Sequence, residues 1–151
     1  MADWLNELRG ECEGAILKEE EFRGEKTLVI RKEALLDVCS ALRCMDFDFL
    51  VDLCGVDMGP NSEPRFYVVY HLRNTATKDQ VRLKVGVADG EKVDSVTGIW
   101  PGANWLEREV YDMFGIEFEG HPHLTRLYLP EDFPGHPLRK DYPTEGYDFE
   151  G

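Results

Sequence analysis

A chain of 151 residues with a formal charge of −13 and 42% hydrophobic residues fits one domain with an ordinary core, since roughly 70% of the unfolded surface is buried at this size. Its acidity argues against nucleic acid and anionic lipid as direct partners. The four cysteines (Cys12, Cys39, Cys44 and Cys54) show neither C-x-x-C spacing nor pairing with histidines, which speaks against zinc, iron–sulfur or disulfide chemistry within the chain and for reduced thiols.

The segment Met1-Ala2-Asp3-Trp4-Leu5-Asn6-Glu7 lacks the basic start and apolar core of a signal peptide and the Arg-rich character of a transit peptide. No apolar run approaches the ~18–20 residues needed to span a bilayer. The expectation is a soluble chain made and kept in the cytoplasm.

Residues 3–9 read as one or two amphipathic turns. Ala15 to Phe22 and Lys26 to Arg31 read as strands joined at Arg23-Gly24-Glu25, with Glu19, Glu20 and Glu21 on an exposed edge. Lys32 to Met45 has helical spacing: Leu35, Val38, Leu42 and Met45 share one face, with Cys39 alongside and Cys44 in the core or at its boundary. Phe47 to Leu53 alternates, placing Phe47, Phe49, Val51 and Leu53 on the buried side. A turn-rich loop is expected over Gly55 to Ser62. Arg65 to Leu72 alternates again, with Phe66, Val68, Tyr70 and Leu72 inward. In Val81 to Val87 the apolar positions 81, 83, 85 and 87 face in, with Arg82 and Lys84 out. Asp89-Gly90 makes a turn, and Val93 to Thr97 reads as a further edge strand.

Asn104 to Gly115 reads as a helix with marked ends. Asn104 is placed as N-cap, with Glu107 three residues on to complete a capping box. Gly115 stands where a positive φ closes the helix. Leu106, Val110 and Met113, with Phe114, form the expected apolar stripe, and Trp105, Glu109 and Asp112 an adjacent face. Arg108 and Asp112 are spaced to pair across one turn.

Beyond Gly115 the character changes. Pro122, Pro130, Pro134, Pro137 and Pro143, with Gly120 and Gly135, leave room for one helical turn at most, over Leu124 to Leu129. The rest reads as extended chain with Phe133, Leu138, Tyr142, Tyr147 and Phe149 as spaced anchors. Such a proline-stiffened tail loses little entropy on docking to a partner.

The fold class expected is α+β: a mainly antiparallel sheet with helices packed on one face, over residues 1–119, followed by an extended Pro-rich C-terminal tail over 120–151 that docks on partners.

Chemistry is sparse. His121, His123 and His136, with Asp112, Glu117 or Glu119, are the only candidate metal set, and the proline between the first two throws their rings to opposite sides. Glu107, Glu109 and Asp112 resemble an acid–base group but lack a nucleophile or phosphate cradle. Arg139-Lys140-Asp141 is a charge cluster suited to ion pairing. The nucleotide, P-loop and nucleophile-elbow motifs are missing.

The run from Val96 to Gly115, with its Glu107-Arg108-Glu109, two residues, Asp112 and two hydrophobics, resembles the C-type (30 kDa-type) subunit of NADH-quinone oxidoreductase, respiratory complex I. Gly120-His121-Pro122 and Gly135-His136-Pro137-Leu138-Arg139-Lys140-Asp141-Tyr142-Pro143 follow at that family's spacing. Asp52 to Asp57, Val69 to Leu72 and Arg82 to Val85 resemble its upstream blocks. Coverage runs from about residue 32 to 143, and Thr125 departs from the basic residue usual there.

The resemblance implies a non-redox structural subunit of the peripheral arm, on the cytoplasmic side of the membrane without a span of its own. No cofactor belongs to this chain; FMN, iron–sulfur clusters and quinone belong to partner subunits. Those partners are the quinone-pocket (D-type) subunit and the iron–sulfur subunits. Glu107, Arg108, Glu109, Asp112, His121, His136, Arg139, Lys140, Asp141 and Tyr142 are the expected subunit-interface residues. The chain length implies a compact version and not a fused one. Three readings stand beside this one: the equivalent subunit of a membrane-bound nickel–iron hydrogenase, formate hydrogenlyase or other-donor quinone reductase; a free-standing metal enzyme; and a transient assembly factor.

Overall fold

The computed structural model describes residues 3–122, 124 and 135–139. Lys140, Asp141, Tyr142, His123 and Thr125, most of the turn expected over 124–129, and the anchors Phe133, Tyr147 and Phe149 lie outside them.

Helix α1 (Asp3–Glu11) precedes a hairpin of β1 (Ile16–Phe22) and β2 (Glu25–Ile30). A 3-10 turn (Lys32–Ala34) leads into α2 (Leu35–Cys44). Strands β3 (Phe49–Asp57), β4 (Phe66–Arg73) and β5 (Gln80–Val87) follow, then β6 (Lys92–Asp94), α3 (Ala103–Phe114) and β7 (Glu117–Glu119).

The five longer strands form one sheet in the order β1-β2-β5-β4-β3. All neighbours are antiparallel except β2 and β5, which run parallel with Leu28 opposite Leu83. Since β5, β4 and β3 alternate in direction, β3 also runs parallel to β2. The chain therefore leaves β2, crosses through α2, and returns at the far edge of the sheet, leaving a gap that the β4–β5 hairpin fills. Such a crossover needs an intervening helix, and α2 supplies it. The small β6–β7 sheet is parallel, pairing Val93 with Phe118.

Alternation decides the core. Phe66, Val68, Tyr70 and Leu72 of β4, and Val81, Leu83, Val85 and Val87 of β5, are all buried. They meet Leu35, Val38, Cys39 and Leu42 of α2, Leu5 and Leu8 of α1, and Val110 and Phe114 of α3 in one continuous core. Trp4 meets Phe47 edge-on with ring centroids 5.1 Å apart. Glu19, Glu20 and Glu21 are exposed on edge strand β1, and Glu19 pairs with Arg9 of α1.

Four expectations need correction. The first concerns β3. Its alternation breaks at a bulge, where pairing with β4 jumps from Leu50–Leu72 to Asp52–His71. One extra residue flips the side chains that follow. The bulge thus sets Leu53 on the same inward face as Leu50, three residues before it, while Phe49 and Val51 are exposed. Second, the loop expected from Gly55 starts later: β3 continues through Asp57, since each of these residues pairs with β4. Gly55 has a specific use there, because a Cβ would lie 2.9 Å from the Phe114 ring and 3.2 Å from Val110 Cγ1. Its bare backbone lets α3 settle on the sheet. Third, Cys44 is exposed, so only Cys39 of that pair is in the core. The fourth correction is the start of α3.

Candidate functional site

Helix α3 carries most of the charged residues that the sequence singles out, and its two ends are held in different ways. At the start, Gly102 is the cap residue, with no side-chain cap bond. Asn104 is already inside the helix, so the capping box expected from Asn104 and Glu107 does not form. The buried face is Ala103, Glu107, Val110 and Phe114. These positions repeat at four, three and four residues, which places Glu107 in the middle of the apolar stripe. Leu106 and Met113 lie at its borders, partly buried.

Glu107 has 0% exposure. Its Oε1 accepts from Ser95 Oγ at 2.6 Å and its Oε2 from the Val96 N–H at 2.8 Å. Ser95 also receives the Thr97 N–H, at 3.2 Å. Glu107 thus ties α3 to the segment that follows β6. His121 Nε2 lies 3.9 Å from Glu107 Oε1 and donates to the Asn104 carbonyl at 3.1 Å, so its imidazole closes the same enclosure. Removal from water pushes the Glu107 carboxyl up to about 7, against the lowering effect of the Ser95 and Val96 donors. The side chain is enclosed within its own chain.

The far end of α3 is closed by residues from the tail. A helix leaves its last four carbonyls without intrahelical donors. Here all four are satisfied. The Gly115 N–H bonds Tyr111 O at 2.8 Å, and His136 Nδ1 donates to Asp112 O at 2.9 Å. The Leu138 N–H bonds Met113 O at 3.0 Å, and Arg139 Nε donates to Phe114 O at 2.6 Å. A guanidinium at this position also meets the negative end of the helix dipole. Gly115 adopts φ 78°, as its spacing predicts, and a Cβ there would stand 2.6 Å from His136 Cδ2. Glycine is required for both reasons: the left-handed backbone and the ring lying on it.

Arg139 is anchored from the other side as well. Its Nη2 donates to Asp89 Oδ1 at 3.1 Å, and Arg65 Nη1 donates to Asp89 Oδ2 at the same distance. Arg65 also grips Asp57 with two bonds of 3.0 Å. The result is an alternating row, Asp57–Arg65–Asp89–Arg139. Both guanidinium carbons lie over the Phe66 ring, at 4.8 Å for Arg65 and 5.1 Å for Arg139. Phe66 in turn meets Phe114 edge-on at 6.4 Å.

The expected site residues are thus divided. Glu107 and His121 meet inside the first half of α3. His136 and Arg139 meet at its end, on the backbone of Asp112 and Phe114. Asp112 is fully buried. Arg108 and Glu109 are half-buried, with the Arg108 guanidinium 5.9 Å from the centre of the exposed Trp105 ring. His121 and His136 sit at opposite ends of α3. Asn104 and Asp112, whose carbonyls they hold, are separated by about 12 Å of helix rise, too far for one ion. Among the described residues no group of three metal-ligating side chains converges. The sequence does not mark Ser95, Asp57, Arg65, Phe66 or Asp89 as site residues. The inward spacing of Glu107 with Ala103, Val110 and Phe114 is the signal that reveals a buried carboxylate in need of local donors.

The family described as "Respiratory-chain NADH dehydrogenase, 30 Kd subunit" matches residues 28–148. The chain is 44% identical to the C-type subunit of NADH-quinone oxidoreductase from Geobacter sulfurreducens, over 95% of this chain and 90% of that one. It is 50% identical to the protein of the same name from a Roseiflexus species, over 92% and 82%. Among solved structures, a trypsin-resistant fragment of Nqo5 superposes with a TM-score of 0.69 at 35% identity, over 80% of this chain and 96% of that one. A chain of the membrane-bound sulfane sulfur reductase, an archaeal respiratory membrane complex, superposes with a TM-score of 0.79 over 93% and 84%. At 22% identity the second likeness is one of fold.

Proposed function

The chain belongs to the family of the respiratory-chain NADH dehydrogenase 30 kDa subunit, and from that premise we propose that it is a non-redox structural subunit of an NADH-quinone oxidoreductase. In this reading it braces the quinone-pocket subunit and the iron–sulfur subunits of the peripheral arm, on the cytoplasmic side of the membrane. FMN, the iron–sulfur clusters and quinone reside in those partners. No helix among the described residues is long and apolar enough to cross a membrane.

The observation that carries the reading is the use made of the charged motif residues. Glu107, His121, His136 and Arg139 do not converge on a reacting centre. They seat a helix and pin the chain at residue 139 against it. This is the construction of a rigid support. Trp105, with 53% exposure, and the half-buried Arg108 and Glu109 share the side of α3 turned away from Glu107. They are the residues of the helix placed to meet a neighbour, since exposed aromatic and Arg side chains dominate protein interfaces. Lys140, Asp141 and Tyr142 follow directly on the pinned segment and are assigned to the same contact.

The test is to tag this chain in its host and purify it from gently solubilised membranes. A large assembly that oxidises NADH with a quinone is the expected result. A large assembly inactive with NADH would replace the donor assignment with one of the related complexes. A chain recovered alone would overturn the structural-subunit reading.

A further inference from the structure

Asp89 belongs to none of the motifs that mark the chain, yet it joins two parts of the fold that are distant in sequence. It lies in the turn after β5, next to Gly90 at φ 90°. That turn is itself fixed. Glu91 Oε1 accepts from the Ala88 N–H at 2.8 Å, the Glu91 N–H returns to Ala88 O at 3.0 Å, and Lys32 pairs with Glu91 at 3.3 Å. On the core side Arg65 has little freedom, with its side chain 7% exposed and two of its nitrogens bound to Asp57. Its remaining nitrogen, Nη1, points at Asp89. Asp89 thus meets Arg65 with Oδ2 and Arg139 with both oxygens, through Nη2 to Oδ1 at 3.1 Å and Nη1 to Oδ2 at 3.4 Å.

We propose that Asp89 is the positioning residue for segment 135–139. By bridging the core-anchored Arg65 to Arg139, it seats this segment on the end of α3 in the free chain, so that residue 139 is held at a fixed point on the domain. The biological use of that fixed point rests on the reading above, in which the residues beyond 139 engage a partner. A pre-seated segment gives up less freedom at the moment of binding. The two guanidinium groups share one aromatic ring and carry like charge. A carboxylate between them turns that repulsion into a bridge, and removing its charge pushes the less firmly held member, Arg139, outward. Arg65, held by Asp57, stays.

The experiment uses the full chain and follows amide hydrogen exchange at Leu138, whose N–H bonds Met113 O. Amides of β4 and β5 serve as the internal reference. Asp89→Asn should speed Leu138 exchange by roughly threefold to tenfold, the range for a partly exposed charge pair, and leave the reference amides unchanged. Arg139→Gln should speed it at least as much, and adding Asp89→Asn to Arg139→Gln should have little further effect. Salt should speed Leu138 exchange in the wild type and not in Asp89→Asn. Unchanged Leu138 exchange in Asp89→Asn would overturn the proposal. So would a gain matched by the reference amides, which would make Asp89 a support of the whole fold.

The yield of assembled complex from the Asp89→Asn strain separates this inference from the one it rests on. A loosened Leu138 with normal yield upholds the seating role and removes its use in partner binding. An unchanged Leu138 removes the seating role whatever the yield.

Discussion

Glu107→Gln isolates the effect of burying one carboxylate in the apolar face of α3. In the folded chain Glu107 titrates at about 7, against an ordinary value of 4.5. Below pH 4.5 the group is protonated in both states and its titration costs nothing. Between the two values the folded chain holds a proton that the unfolded chain has released, so stability falls as pH rises, and above about 7 the loss is complete. At 1.36 kcal/mol per pKa unit the whole loss is about 3 kcal/mol, of which about 2–3 kcal/mol accrues between pH 5 and pH 8. Glutamine keeps an oxygen for the Val96 N–H and does not titrate. The other carboxylates contribute equally to both proteins, so the difference between them carries the signal. Urea unfolding, followed by tryptophan fluorescence at pH 5, 6, 7 and 8, should show Glu107→Gln gaining on the wild type by about 2–3 kcal/mol across that range. A difference that stays constant with pH would refute the burial argument.

Gly115→Ala should cost about 2–3 kcal/mol in the same urea assay. About 1–2 kcal/mol comes from the left-handed backbone, and about 1 kcal/mol from the His136 bond to Asp112 O, lost as the ring moves aside. A cost of only about 1 kcal/mol, the backbone part alone, would mean that the His136 bond to Asp112 O is not lost when a Cβ is added. Arg65→Met leaves Asp57 buried, at 5% exposure, and stripped of its bidentate partner, and should destabilise the chain by about 3–5 kcal/mol. Adding Asp57→Asn to that variant should return part of the loss. Strictly additive effects would show that the two side chains do not interact.

The fold is legible in the sequence wherever one residue's burial depends on the next residue's exposure. Strands β4 and β5 alternate without interruption, and α2 keeps its spacing, so their buried faces follow directly from the sequence. Strand β3 escapes because a bulge is a single inserted residue with no composition of its own, and Val51 is as apolar as the residues it displaces. The parallel pairing of β2 with β5 escapes for another reason. Alternation says which side of a strand is buried but not which strand lies beside it. At the site, Gly115 is legible through its helix-ending position. Glu107 misleads because its spacing from Asn104 fits a capping box, while its donors, Ser95 and Val96, lie before the helix begins. The row Asp57–Arg65–Asp89–Arg139 draws on four separate stretches, which only the sheet order brings together. In the tail, the resemblance marks His136 and Arg139 as interface residues without saying which surface they meet. The structure spends both on their own domain, where they close α3.

The most direct measurement ends the chain after Arg139. This truncation keeps the four bonds described at the end of α3 and removes residues 140–151. The truncated protein should still unfold cooperatively in urea, as a folded domain. Tagged in its host, it should recover little or none of the assembly that oxidises NADH with quinone. Wild-type yield and activity from the truncated chain would contradict the account, because the pinned segment would then hold nothing in place.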